Sequence, residues 1–197
     1  MRPAMRKSTA LITAAAVGAL AAFTRGVRQP GPALPGDRLV RRAFLTRTIG
    51  ARMPAPPDAV WPWLAQMGAG RAGWYSIDLI DNGGTPSARE IIPELQRIAP
   101  GDALAGSTFG GPPFVVTQAV PPRALVTTLR SRGGRIRVSY AYLLDDDGHG
   151  GTTLTARLRM GGRPVGLAML LSPMLLVGHE VGQRVQFVRL RRRVSAR

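Results

Sequence analysis

With 197 residues, 45% of them hydrophobic, and no cysteine, the chain has the length of one domain with tails and must hold its core without disulfides. The absence of cysteine excludes a disulfide framework, thiolate-held zinc or iron–sulfur sites and a cysteine nucleophile. The formal charge of +16 is unevenly spread: residues 1–52 carry ten basic side chains against Asp37 alone, 184–197 carry six arginines and no acid, and 53–183 carry eleven basic and ten acidic residues. A near-neutral globular part between basic tails is not the charge pattern of a nucleic-acid reader. Flanking cations suit an anionic membrane surface, at roughly 1 kcal/mol per Lys or Arg close to it.

Arg2, Arg6 and Lys7 precede an apolar or small run, Ala10 to Phe23, which Arg25 and Arg28 follow. This is the layout of a signal peptide, with Ala19-Leu20-Ala21 as a small-x-small cleavage site, or of a minimal membrane anchor; charge on both flanks leaves the orientation open. Residues 1–27 are therefore expected to anchor or export the protein, placing it at a membrane or outside the cytoplasm. Residues 28–41 are rich in Pro and Gly and predict a linker, and 42–197 the folded domain.

Alternation from Arg42 to Met53 predicts the first strand. The following PAPPDAVWPWLAQMG predicts a short helix opened by Asp58 or the prolines before it, with Pro62 in its first turn and Gly68 closing it. Asn82-Gly83-Gly84 predicts a turn, and Ser87-Ala88-Arg89-Glu90 has the spacing of a capping box opening a second short helix, unless that helix begins at Pro93. Strands are then predicted over Phe114–Val120, Ala124–Arg130, Arg135–Leu144 and Thr152–Met160, forming an antiparallel meander. In the third of these, Ile136, Val138, Tyr140 and Tyr142 share a face opposite Arg135, Arg137 and Ser139, so one face of the sheet is expected to be wet. Asp145 to Gly151 predicts a hairpin turn, because it lacks the alternation and closing glutamate of a calcium loop. Val165 to Val194 has helical spacing, with Pro173 a kink or the true start, and ends among arginines that suit a helix C-terminus. This order of elements gives an α+β helix-grip architecture.

The stretch APPDAVWPWLAQMGAGRAGWYSIDLIDNGGTPSAREIIPEL with the Gly101-Asp102 pair resembles the START-like, or SRPBCC, superfamily that includes polyketide cyclases, and within it an actinobacterial branch with VWPWL and GRAGWYS segments. The resemblance implies an antiparallel curved sheet of about seven strands around a long C-terminal helix, with two short helices after the first strand. Between sheet and helix it implies an apolar cavity for a lipid, polyketide or isoprenoid. Mapped onto this chain, the ligand-binding residues are Trp61, Met67, Arg71, Trp74, Tyr75 and Asp78 from the cap, and Tyr140 and Tyr142 from the sheet. No catalytic motif carries over, and no cofactor or metal is implied.

The residues themselves leave two readings open. Arg71, with Tyr75, Asp78, Asp81 and Asn82, either clamps a carboxylate or phosphate head group or holds an irregular loop through an Arg71 to Asp78 or Asp81 pair. His179 either faces the cavity or caps the helix surface. The leading expectation is non-covalent binding of a hydrophobic small molecule. The alternatives are a cyclase or hydratase using Tyr75 or Asp78 as acid or base, and a membrane-associated structural protein with a vestigial pocket, which a cavity under roughly 300 Å3 would favour.

Overall fold

The computed structural model describes residues 33–163 and 167–195, with side chains from 33 to 163 and from 177 to 195. The apolar run of Ala10–Phe23 lies outside these residues, and among the described ones no helix is long and apolar enough to cross a membrane.

Six antiparallel strands form one sheet in the order β1-β6-β5-β4-β3-β2. They are β1 (Ala43–Met53), β2 (Ala103–Leu104), β3 (Phe114–Val120), β4 (Ala124–Arg130), β5 (Ile136–Asp146) and β6 (Thr152–Gly162). Three helices accompany them: α1 (Pro57–Ala65), the single turn α2 (Asp78–Asp81), and α3 (Leu167–Ser195). The long hairpin of β5 and β6 pairs from Ile136↔Gly162 to Asp146↔Thr152, and β1 then joins the outer side of β6. A curved sheet with a long C-terminal helix is the helix-grip arrangement, with six strands where seven were expected. β2 pairs with β3 at only two residues, and glycines and prolines follow Leu104 in quick succession over 105–113.

Local expectations are corrected at Pro62 and Ser87, and at Pro173 the alternative of a helix start is removed. Pro62 sits inside α1 rather than in its first turn; Trp61, Trp63 and Leu64 around it are buried, and their packing offsets a proline penalty of about 3 kcal/mol. No helix starts at Ser87; the chain there is irregular, and only a 3-10 turn at Pro93–Leu95 follows. α3 begins at Leu167 and continues past Pro173.

The wet face of the sheet is borne out at Arg135 and Arg137, which are exposed, and corrected farther along β5. Ser139 and Ala141 are buried, because the described part of the expected linker lies over them. A Cβ on Gly36, whose φ is 90°, would stand 2.8 Å from Val126 Cγ1 and 3.7 Å from Ala141 Cβ, so only glycine permits this approach. The Asp37 carboxylate then pairs with Arg157 at 3.1 Å and Arg159 at 3.7 Å, and Arg159 also donates to the Val40 carbonyl. The segment entering the domain is thereby fixed to the sheet's convex side. At the Asp145–Gly151 turn, Asp147 accepts from the backbone N–H groups of His149 and Gly151 and pairs with Arg52 at 2.5 Å. These contacts depress the Asp147 pKa to about 2, the Arg52 hydrogen bond contributing most.

Candidate functional site: a cavity between sheet and helix

The sequence between α1 and α2 is organised by glycines. Gly68 and Gly73 exchange backbone hydrogen bonds at 3.2 and 3.0 Å across a four-residue turn, which returns the chain beside α1. Gly73 has φ 77°, and a Cβ there would lie 2.3 Å from Ser87 Oγ. That close approach lets the Ser87 hydroxyl accept from the Tyr75 N–H at 3.1 Å and donate to Asp78 Oδ1 at 2.5 Å. Tyr75 itself has φ 56°, a left-handed backbone that is strained for a bulky residue.

These contacts settle where the cap residues go. Tyr75 is fully buried; its hydroxyl accepts from Gln66 Nε2 at 2.8 Å, and its ring meets Trp63 edge-on at 5.9 Å. The Arg193 guanidinium stands 4.8 Å from the Tyr75 ring centroid and donates to the Ala88 and Ser87 carbonyls. Burial pushes the Tyr75 pKa to about 12, against the pull of Gln66 and Arg193. Arg71 donates to the Ala65 and Leu95 carbonyls at 3.1 and 3.2 Å, tying the end of α1 to the Pro93–Leu95 turn. Asp78 Oδ2 pairs with Arg189 at 2.7 Å. Trp61 is packed in the core. Trp61, Arg71, Tyr75 and Asp78 therefore build the cap and are not among the described residues that line the cavity between sheet and α3. Neither the Arg71 head-group clamp nor the Arg71–aspartate pair forms, and Tyr75 and Asp78 are committed away from any site where they would act as acid or base.

The other four expected residues do come together. Met67, Trp74, Tyr140 and Tyr142 line a cavity of about 210 Å3 between the concave sheet face and α3. β2, β3 and β4 add Leu104, Phe114, Leu125 and Thr127; the cap adds Ser76 and Asp81, and α3 adds Gly178, His179, Gly182 and Gln183. Aromatic rings follow one another around the wall: Trp74 to Phe114 at 5.8 Å, Phe114 to Tyr140 at 6.4 Å, and Tyr140 to His179 at 5.6 Å. Tyr140 donates to Gln183, and Tyr142 donates to Gln186 Oε1 at 2.9 Å. Gln186 Oε1 also accepts from Gln183 at 2.7 Å, while its nitrogen donates to the Trp74 carbonyl at 2.6 Å.

Four titratable groups, Tyr140, Tyr142, His179 and Asp81, give the cavity its polar character. Burial raises Tyr140, lifts Tyr142 to about 12 and lowers His179, keeping both phenols and the imidazole neutral near pH 7. Asp81 is raised to about 6, first by burial and then by the Asp78 carboxylate, against the opposing pull of Arg189. Sequence reasoning left Asp81 and His179 out of the binding set. Both have the chemistry of site residues, but which way they face depends on where α2 and α3 are docked, and no local spacing encodes that.

No protein-family model matches the chain, and no curated protein matches it either. Among solved structures, 77% of the chain is similar to 97% of protein MLL2253 from Mesorhizobium loti at 15% identity and a TM-score of 0.48. The same share is similar to 91% of Ms6760 from Mycobacterium smegmatis at 16% identity and a TM-score of 0.49. It is also similar to 84% of CalU16 from Micromonospora echinospora, at 15% identity and a TM-score of 0.40.

Two variants test these assignments. Arg71→Ala removes charged hydrogen bonds to two carbonyls and is expected to lower stability by about 2 kcal/mol in denaturant melts, without changing any ligand affinity of the cavity. Asp81 binds its proton more tightly in the folded than in the unfolded chain, so it removes stability as pH rises from about 4, its usual range, to about 6. Asp81→Asn should accordingly melt higher than the wild type at pH 7.5, and the gap should close as pH falls toward 4.

Proposed function

We propose that the protein is a START-like binding domain that takes up a small, largely apolar molecule, without covalent chemistry, in the cavity between the sheet and α3. The observation that supports this most is the make-up of the wall: Met67, Trp74, Leu104, Phe114 and Leu125 surround a space into which a few polar groups converge. That combination of apolar walls and sparse polar groups is typical of ligand sites. α3 also carries Gly178 and Gly182 on the face that lines the space. Glycine within a helix costs about 1 kcal/mol relative to alanine, so the void is kept open at some expense in stability.

The volume restricts the ligand. About 210 Å3 is below the roughly 300 Å3 at which ligand pockets usually begin, and a lipid acyl chain or polycyclic polyketide exceeds it. A dry cavity of about 150 Å3 holds benzene, so one substituted ring fits. The small volume also favours the second reading, a structural protein whose pocket is vestigial. Gly178→Leu separates the two, because a Cβ at Gly178 meets nothing within 4 Å and the longer side chain has the cavity to fill. Ligand-observed NMR with toluene and indole should show both binding to the wild type, and the variant should fold while losing both. Wild-type protein that binds neither would favour the vestigial pocket and overturn the binding reading.

Association with a membrane surface is part of the same proposal. Where the chain enters the domain, Arg38, Arg41 and Arg42 line an open cleft with Arg135, Arg137 and Arg163, and no acid lines it among the described residues. Arg38 is fifteen residues from the end of the Ala10–Phe23 run, so a chain that keeps that run as an anchor has this cleft only a short stretch of sequence away from it. At roughly 1 kcal/mol per arginine, the triple variant Arg135→Glu, Arg137→Glu, Arg163→Glu should lose more than about tenfold in binding to phosphatidylglycerol vesicles at low salt. Unchanged sedimentation with those vesicles would remove the cleft from the membrane account.

A further inference from the structure

The chain has 27 basic and 11 acidic residues, yet among the described residues lining the cavity there is one carboxylate, Asp81, and no Lys or Arg. One oxygen of that carboxylate, Oδ1, is buried and has no hydrogen-bond donor among the described residues. The Ser76 hydroxyl on the same wall stands near enough to Asp81 to favour its charged form, yet its single proton goes to the Gly182 carbonyl at 3.0 Å, and Oδ1 is left without a donor. Arg189, whose charge reaches Asp81, is bound to Asp78 at 2.7 Å. A buried acceptor left without a donor is costly, and a ligand that supplies a donor removes that cost.

The remaining walls are aromatic. Trp74, Phe114 and Tyr140 form a chain of edge contacts around the cavity, and their ring faces attract a cation more strongly where water is excluded. A ligand anion would meet the opposite: no Lys or Arg lines the cavity among the described residues, and the Asp81 carboxylate would repel it. Taken with the reading of the cavity as a ligand site, on which this step rests, we infer that its ligand is a one-ring organic ammonium ion, its positive nitrogen set against Asp81 and its apolar part among Trp74, Phe114 and Tyr140.

The groups facing Asp81 define how binding depends on pH. Asp78 comes from its own turn, Arg189 and His179 from α3, and Tyr142 from β5. Asp78 and Arg189 compensate each other as a pair, and Tyr142 stays neutral. On acidification, Asp81 loses its charge near pH 6, and protonation of His179, which burial opposes, would add a positive charge to the same wall; both changes act against a bound cation.

Isothermal titration of the full chain with benzylammonium, benzyl alcohol and benzoate, which share a ring and differ in charge, is the test. At pH 7.5 benzylammonium is expected to bind at least about tenfold more tightly than benzyl alcohol, with benzoate the weakest. The preference should shrink toward none at pH 5, where benzylammonium is still charged. Asp81→Asn should remove the preference of benzylammonium over benzyl alcohol at pH 7.5, and a melt of the same sample verifies its fold. Benzyl alcohol binding as tightly as benzylammonium, or a preference indifferent to pH, would overturn the ammonium assignment and leave the apolar site standing. If none of the three probes binds, the ammonium assignment and the ligand-site reading fall together.

Discussion

The carboxamide of Gln186 joins the three parts that enclose the cavity. Its oxygen accepts from Tyr142 on β5 and from Gln183 one turn earlier on α3, and its nitrogen donates to the Trp74 carbonyl in the cap. The residue is only 3% exposed, so every one of these bonds replaces water that cannot reach it. Losing the amide would leave several buried polar groups without partners, each at about 1–3 kcal/mol. The bonds also fix the rotation of α3 about its axis, and that rotation decides which residues face the space. With Gln186 held against the strand, Gly178, His179, Gly182 and Gln183 point inward, as expected for residues three and four apart on one helix face. Phe187, Leu190 and Val194 continue into the core beside α1.

Charge in this protein works differently inside and out. The arginines at the end of α3 look from their positions like a tail that complements a helix dipole. Arg193 is instead a strut, placed over the Tyr75 ring and donating to carbonyls about a hundred residues away in sequence. Arg189 neutralises Asp78, and Asp78 in turn receives Ser87. Among the described residues, Arg71, Arg189 and Arg193 hold the cap and six arginines face the outer cleft, while the cavity wall retains an acid. That separation gives the space a chemical preference which net charge alone would have predicted with the wrong sign.

Much of the framework was legible in the sequence because it is periodic. Phe114–Val120 and Ala124–Arg130 form as expected, and the ends of the longer strands shift by one or two residues. What was not legible depends on contacts between distant segments. Ser87 has the spacing of a helix cap, yet it serves Tyr75 and Asp78 because the Gly68–Gly73 turn brings that backbone within reach. Arg71 and Tyr75 have the residue types of a binding site but bond to Ala65, Leu95 and Gln66. Ser139 and Ala141 alternate as a solvent face, and only the docking of Gly36 and Asp37 covers them. Met67, Trp74, Tyr140 and Tyr142 reach the cavity wall through the strand alternation and cap position from which they were read.

The account turns on whether the space between the sheet and α3 is occupied in the living cell. Native mass spectrometry of the protein purified from its own host without denaturation or detergent exchange reads this directly. The account predicts one bound molecule per chain, with the mass of a one-ring compound containing a basic nitrogen, released on unfolding. A bound acyl lipid, or the bare mass of the chain in every preparation, would contradict it.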